Sequence, residues 1–349
     1  YYNQNKGGTV GGADFQMGMH RTVNGYNTIW DHSLLTAYQT DINSDFRLNV
    51  DAGVNSQERL YEQNGMRSTQ QLVYGLFDHD NFINHDNFNE GGGRIDFKSR
   101  TLSLGAFAQG LLSYKEYAYL TVGGRNSWSS NLEKNNRSIF YPSFSASFIP
   151  TSAIESLQNN NVLNYLKLRA GYSTSANFGS PYATRPILSI NTNTFVDRGA
   201  NIYNSNSISN RLPNPNLRPE LLQEIEFGFE GKLFNNRMNV DFTYYNRNSK
   251  DQILSRELDP STGFTVTSIN AGSVRNKGIE LQLGYNVIRN KDWNWQVDVN
   301  YFQNRNKVSL PSDIKQIVID GFSNEGLFAI DGYPLGVIQG SYSLRDTGS

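Results

Sequence analysis

The 349-residue chain has no cysteine, which excludes a disulfide framework and thiolate zinc ligation and fits an oxidising envelope compartment without requiring one. It has no run of 18 or more apolar residues, so no helix can cross a membrane. A β-barrel needs none, because half of each strand faces water. Basic and acidic side chains number 31 and 32, and no basic run or face appears, which argues against a nucleic-acid partner. Tyr1-Tyr2-Asn3-Gln4 does not lead into an apolar core, so a signal peptide is expected to have been removed, or the chain to be an internal piece of a longer polypeptide. Nucleophile elbow, Walker loop, dinucleotide fingerprint and zinc spacing are all missing. No catalytic residue, metal or cofactor is therefore assigned, and the expectation is a protein that is not an enzyme.

What is present is alternation. From Leu221 to Leu233, Leu221, Gln223, Ile225, Phe227, Phe229 and Leu233 fall on one face, with Glu224, Glu226, Glu230 and Lys232 opposite. Met238, Val240, Phe242 and Tyr244 alternate with Asn239, Asp241, Thr243 and Tyr245. Ile279, Leu281, Leu283, Tyr285 and Val287 alternate with Glu280, Gln282 and Asn286; Trp293, Trp295, Val297, Val299 and Tyr301 alternate with Gln296, Asp298 and Asn300. Tight polar turns, 234–237 and 288–292, close each pair, and a polar stretch of 30 residues, 248–277, separates them. Residues 293–305 at roughly 3.3 Å each make a strand that, tilted by about 45°, crosses roughly 30 Å of hydrocarbon. Short turns at one end and long loops at the other are the mark of a transmembrane β-barrel.

The pattern extends upstream. Strands are expected at 33–42, from Phe46 to Val54, at Leu102–Ala108, 117–127, Phe140–Phe148 and Leu166–Tyr172, about ten in all, with weaker ones in 69–98, 262–272 and after 314. For 117–127 both Tyr117/Tyr119 and Ala118/Leu120/Val122 qualify as the outward face. Residues 57–98 and 176–220 read as long irregular loops, and 150–163 as a short helix capped near Thr151-Ser152 with an acidic first turn.

Several stretches then resemble one family. Asn214-Pro215-Asn216-Leu217-Arg218-Pro219-Glu220 is similar to the NP-x-L-K/R-x-E stretch before a barrel strand of TonB-dependent outer-membrane receptors, and Leu233–Arg237 with Asp241–Asn246 resembles the hairpin that follows. Asn270-Ala271-Gly272-Ser273-Val274-Arg275-Asn276-Lys277-Gly278-Ile279-Glu280-Leu281 resembles the N-x-G-x-V-x-N-K-G-I-E-L stretch of the SusC/RagA branch. Tyr141–Ala146, Leu166–Tyr172 and Asp331-Gly332-Tyr333-Pro334-Leu335-Gly336 fit the same branch. The family's plug domain and coupling box are not visible. The resemblance implies a middle-to-late portion of an antiparallel transmembrane barrel of about 22 strands, with short periplasmic turns and long extracellular loops. Residues 1–349 would form one barrel portion, with Tyr342 beginning a further strand. It also implies a multi-pass location in the cell outer membrane and active import of oligosaccharides or peptides, driven through TonB and a plug carried elsewhere, under a SusD-like surface lipoprotein lid.

The facing argument assigns Ile225, Phe227, Val240, Phe242, Leu281, Leu283, Val297 and Val299 to outer-membrane lipid. It assigns Glu224, Glu226, Glu230, Asp241, Glu280, Gln282, Gln296 and Asp298 to a lumen wall. The glutamates have the chemistry of a glycoside-hydrolase pair, but a wet wall accounts for them more simply. Candidate substrate contacts are Tyr61, Phe77, His79, Asp80, His85, Asp86, Arg125, Asn126, Trp128 and Tyr182. The His79-Asp80 and His85-Asp86 pairs carry ligand chemistry without a tight metal spacing; a polar loop tucked down by Phe82 and Phe88 is the simpler account. Arg125 would point at substrate or pair with an acidic neighbour. Tyr74, Phe195 and Tyr203 are further loop aromatics, and Trp293, Trp295 and Tyr301 belong to interfacial girdles. The rivals are a passive porin or adhesin barrel, separable by conductance without an energy source, and a secreted soluble β-sandwich glycoside hydrolase, separable by solubility without detergent.

Overall fold

The alternation becomes ten long antiparallel strands in the computed structural model. They are β1 (Met19–Asp41), β2 (Phe46–Gln71), β3 (Phe97–Tyr114), β4 (Ala118–Ser129), β5 (Ser138–Phe148), β6 (Leu163–Asn177), β7 (Glu220–Leu233), β8 (Met238–Lys250), β9 (Ser273–Arg289) and β10 (Asn294–Ser309). The structure describes residues 18–88, 94–158, 160–196, 201–321 and 325–341, together with Tyr2–Asn3, Thr9–Val10 and Ala13–Asp14. Tyr342 and the side chains of Phe195 and Tyr203 lie outside the described residues. The ten strands run 11 to 26 residues, against about 5–6 in soluble proteins. They pair in sequence order, each with its chain neighbour. Among the described residues β10 closes onto no further strand, so the sheet is open.

The short turns are built by local chemistry. Asn43 Oδ1 accepts from the N–H groups of Asp45 and Phe46, and Asn290 Oδ1 from those of Asp292 and Trp293. Lys115 and Glu116 both have positive φ, with Tyr117 N–H returned to Tyr114 O, the mirror-image turn whose twist suits a hairpin. Phe234, Asn235 and Asn236 also have positive φ, and Asn236 N–H is held by Asn164 Oδ1. Between β5 and β6 the expected helix shrinks to one turn, Pro150–Ala153, and a 3-10 turn, Glu155–Leu157. Ile149 takes the N-cap position without a side-chain bond, because Pro150 opens the helix and the Thr151 hydroxyl accepts from Leu166 N–H instead.

The chain divides into two compact units, residues 1–32 with 56–103 and residues 33–55 with 104–349. The first unit holds the start of β1 and the far half of β2. The short strand Phe82–Asp86 pairs with that part of β2, and Phe82 is buried under it while Phe88 stays exposed. The second unit carries β4 to β10 and the four tight turns, 42–45, 115–117, 234–237 and 290–293. Partners in register share a face. Phe148, Leu168, Phe229, Phe242, Leu281 and Tyr301 form one cross-strand row; Ser147, Arg169, Gly228, Thr243 and Glu280 form the next, on the opposite face. Leu120 and Val122 pair with Ala146 and Phe144, which settles β4: Ala118, Leu120 and Val122 take the apolar face, and Tyr119 and Thr121 the polar one. A bulge between Asn286 and Ile288 sets Ile288, not Val287, opposite Trp295.

The long connections are more ordered than their composition predicts. The expected loop 57–98 is strand up to Gln71 and again from Phe97. The stretch 176–220 contains the hairpin Leu188–Val196 with Ile202–Ile208. Arg211–Leu212, Val266–Asn270 and Ile253–Glu257 form a small sheet, and Gln316–Gly321, Gly326–Ile330 and Val337–Gln339 another. The buried apolar cluster sits at the base of this layer, where Val274 of β9 and Val308 of β10 meet Ala329, flanked by Leu310 and Ile317.

Candidate functional site

The polar face of β6, β7 and β8 centres on Arg169. Its guanidinium lies 3.0 Å from Glu230 Oε1, 2.7 Å from Asp241 Oδ1, 2.5 Å from Thr243 Oγ1 and 3.5 Å from Glu226 Oε1. Asp241 and Thr243 belong to β8, two strands from Arg169. The reach is possible because Arg169 stands directly opposite Gly228 of β7. A Cβ at Gly228 would lie 2.8 Å from Arg169 Nε and 2.7 Å from Phe242 O. Arg125 of β4 repeats the device. It lies over Gly105 of β3, donates to Asn55 Oδ1 of β2 at 2.6 Å and to Ser127 Oγ at 2.9 Å, and covers the Phe107 ring. Gly278 likewise sits under the Tyr245 ring of the neighbouring strand. Lys167 reaches Glu230 at 3.3 Å, and Arg247 holds Glu224 at 2.8 Å.

Beside this network a trough of about 560 Å³ runs along β5. Ser143, Ser145 and Ser147 floor it, Tyr119 and Thr121 bound one side, and Arg169 and Glu226 the other. A second depression of about 300 Å³ collects Glu230, Asp241, Gln282, Gln296 and Asp298. Glu280 pairs with Thr243 on the same face. All eight acidic or amide residues expected on one wall thus share a face, with their carboxylates engaged by guanidinium or ammonium at Glu224, Glu226, Glu230 and Asp241.

In the other unit three of the four histidines gather. The buried Ser68 hydroxyl lies 2.7 Å from His79 Nδ1 and 2.8 Å from His85 Nδ1. His79 Nε2 lies 2.8 Å from Thr22 Oγ1, and the His20 ring lies 4.4 Å from that of His79. Burial, and then His20 and His85 as neighbours, push the His79 pKa down. Asp86 is paired twice with Arg67, at 2.9 and 2.5 Å. Burial would raise its pKa, but Arg67 and the Phe88 N–H carry it below the usual range. No metal-holding group of these residue types occurs among the described residues.

The ten expected substrate contacts divide between the two units. Tyr61, Phe77, His79, Asp80, His85 and Asp86 belong to the first. Tyr61 donates to Gln63 Oε1, Asp80 stands in the first turn of a 3-10 helix capped by Asp78, and Phe77 is exposed. Arg125, Asn126, Trp128 and Tyr182 belong to the second. Arg125 takes an amide and a hydroxyl as partners, not the expected acidic neighbour. Asn126 bonds Ser138 and, with Trp128, shares the apolar face of Leu120 and Val122, so neither reaches the face of Arg125. Tyr182 is an exposed loop residue with φ of 64°.

The recognised motifs act as loop locks. Asn214 caps Asn216 N–H and donates to Ser268 O, Leu217 is buried, and Glu220 accepts from Ile253 N–H and Asn177. Asn270 accepts from Arg218 N–H and donates to Arg218 O and Asp251 O. Gly272, with φ of 76°, turns the chain into β9. Asp331 accepts from Leu310 N–H, and Asn306 from Leu335 N–H, which pins 331–336 to the end of β10.

An open antiparallel sheet of strands this long, polar on one face and apolar yet exposed on the other, defines the wall of an outer-membrane β-barrel. Residues 1–335 match the family described as TonB dependent receptor-like, beta-barrel. The chain belongs to that family of outer-membrane proteins, and the SusC/RagA-type resemblance of its motifs is borne out by the relatives. TonB-dependent receptor P26 of Formosa agariphila is 28% identical over 291 residues, 82% of this chain and 28% of that protein. TonB-dependent receptor SusC of Bacteroides thetaiotaomicron is 27% identical over 184 residues, 52% of this chain and 18% of that protein. The solved RagAB peptide transporter superposes with a TM-score of 0.76 at 22% identity, over 91% of this chain and 34% of that one. The chain thus spans about a quarter to a third of the length of P26 and of the RagAB chain.

Proposed function

We propose that the polar face lines the lumen of an outer-membrane importer and that the apolar face meets lipid. The observation that carries this reading is the opposite treatment of the two faces. Arg169, Arg125 and Arg247 are held in ion pairs and hydrogen bonds across the polar face, whereas Ile225, Phe227, Val297 and Val299 stand exposed on the other. An exposed apolar row of this extent is costly in water and favourable in acyl chains. On this reading the serine-floored trough is part of the path for a hydrophilic oligosaccharide or peptide. A plug supplied elsewhere in the polypeptide gates it, TonB supplies energy, and a SusD-like lipoprotein covers the long-loop side. RagAB is a peptide transporter, which supports the peptide arm.

The test uses the full-length protein in its native outer membrane. Labelled oligosaccharides and labelled peptides are offered separately, with the inner membrane energised or de-energised. Energy-dependent accumulation of one class is expected. Accumulation that persists without an energised inner membrane would replace active import with passive porin behaviour.

A further inference from the structure

Four cations occupy the long-loop end of the apolar face. Lys277 of β9 stands directly opposite Arg305 of β10, and Arg275 directly opposite Lys307. Like charges placed opposite one another destabilise a sheet, and here two such pairs follow in succession. All four side chains are exposed, and none has an acidic partner in the ion pairs of the described residues; Arg275 donates only to the Asn246 amide at 2.9 Å. They surround a shallow cavity of about 470 Å³ whose apolar edge is Tyr244 and Ile279. By strand parity the cations share the face of Ile279, Leu281 and Leu283, one step of roughly 7 Å beyond the apolar rows. Tyr244 takes the place favoured by an aromatic ring at a membrane–water boundary.

We propose that Arg275, Lys277, Arg305 and Lys307 bind the phosphate groups of an anionic glycolipid headgroup. The proposal rests on the reading that this face meets lipid. A phosphate between the pairs turns two repulsions into charge-assisted hydrogen bonds, which are stronger than neutral ones. The lipid is favoured over a soluble anion because the cations continue the acyl-facing surface and lie on the opposite face from the trough. An acyl chain along Ile279 and Leu281 then places its headgroup at the cavity.

The experiment takes the full-length transporter into nanodiscs of phosphatidylcholine with or without bis-phosphorylated lipid A. It compares wild type with a variant carrying glutamine at all four positions and with the milder Lys277→Gln/Arg305→Gln. Native mass spectrometry reads retained lipid A, and thermal melting reads stabilisation. The wild type is expected to retain lipid A at least about tenfold better than the four-glutamine variant. In lipid-free detergent the order should reverse, the double variant melting above wild type because one repulsive pair is gone. Equal retention of lipid A by wild type and both variants would overturn the site. So would equal stabilisation by inorganic phosphate alone. Val299→Cys, tested with a lipid-dissolved maleimide, separates the two readings. Labelling together with unchanged lipid retention in the four-glutamine variant removes the headgroup site and leaves the orientation intact. Failure to label removes the orientation, and the site with it.

Discussion

The wall and the loop layer above it treat the same kind of side chain in opposite ways. Phe227 and Val299 in the wall are 54% and 52% exposed, whereas Phe328, Leu217 and Val308 at the loop base are 0%, 1% and 1% exposed. Phe227, Val299 and Phe328 all lie on antiparallel strands, so propensity does not explain the contrast. The surroundings do. On the proposed orientation the wall lies in acyl chains and gains nothing by hiding Phe227, and its single layer leaves nothing to hide it behind. The loop layer, in water on the same orientation, builds a small core of its own where Gln316–Gly321, Gly326–Ile330 and Val337–Gln339 fold back on the ends of β9 and β10.

The largest break of this contrast is Phe328→Ala. Deleting a fully buried ring costs about 3–5 kcal/mol, concentrated in the loop layer. Proteolysis of the assembled protein should open the 310–341 region while the heat-modifiable barrel band persists. Equal loss of both would show that wall and layer fold as one unit. Next is Val299→Arg, which should cost about 2–4 kcal/mol if the residue lies near mid-bilayer, against almost nothing for Asn300→Arg on the opposite face. A membrane-assembly assay that tolerates both equally would undo the assignment of faces.

The wall was legible because its two faces carry different side chains, so period two is written into Ile225/Glu226, Phe242/Asp241 and Val297/Asp298. Legibility ends where that difference between the faces fades. Met19–His32 and Gln57–Gln71 are strand, yet their alternation is blurred. The loop sheets are legible only in part: Val266–Asn270 and Gln316–Gly321 fall where weaker strands are expected, in 262–272 and after 314, whereas strands such as Ile253–Glu257 are short and polar and read as connection. The site was half legible. The acids announced their face, but the reach of Arg169 and Arg125 depends on Gly228 and Gly105, and a glycine inside a strand carries no sign of what lies over it. A better signal was available, since each glycine breaks an otherwise regular strand beside a strand bearing an inward arginine. Of the histidine cluster the sequence shows only two local His-Asp pairs, because Ser68 and His20 are distant from them in sequence.

Gly228→Ala sharpens the comparison from within the wall. Its methyl group would displace Arg169 Nε and press on Phe242 O, an overpacking worth about 1–3 kcal/mol. Arg169→Met should fall in the same range, leaving three carboxylates facing one another without the guanidinium. If the arginine lines a transport path, both variants also lose uptake beyond their loss of assembled protein. Uptake that tracks assembly alone would make Arg169 a purely structural brace.

The smallest effect concerns pH and the loop unit. His79 is harder to protonate folded than unfolded, owing to burial and to His20 and His85 beside it, while Asp78 and Asp80 oppose the shift. The folded state therefore binds fewer protons, and stability rises with pH wherever the unfolded chain is protonated. The contribution is complete above the ordinary histidine value of about 6.5 and is lost as pH falls below it. The paired Asp86 acts in the same direction, but only at pH values below its ordinary carboxylate range, so the two losses are separated in pH. Hydrogen exchange of residues 72–88 should accelerate first as pH drops from about 7.5 to about 5.5, with strands β6–β8 unchanged. Ser68→Ala removes the hydroxyl shared by His79 and His85, and should bring on the acceleration already at the upper end of that range. A flat pH response in wild type would mean that packing of Phe82, and not the imidazoles, holds this segment against β2.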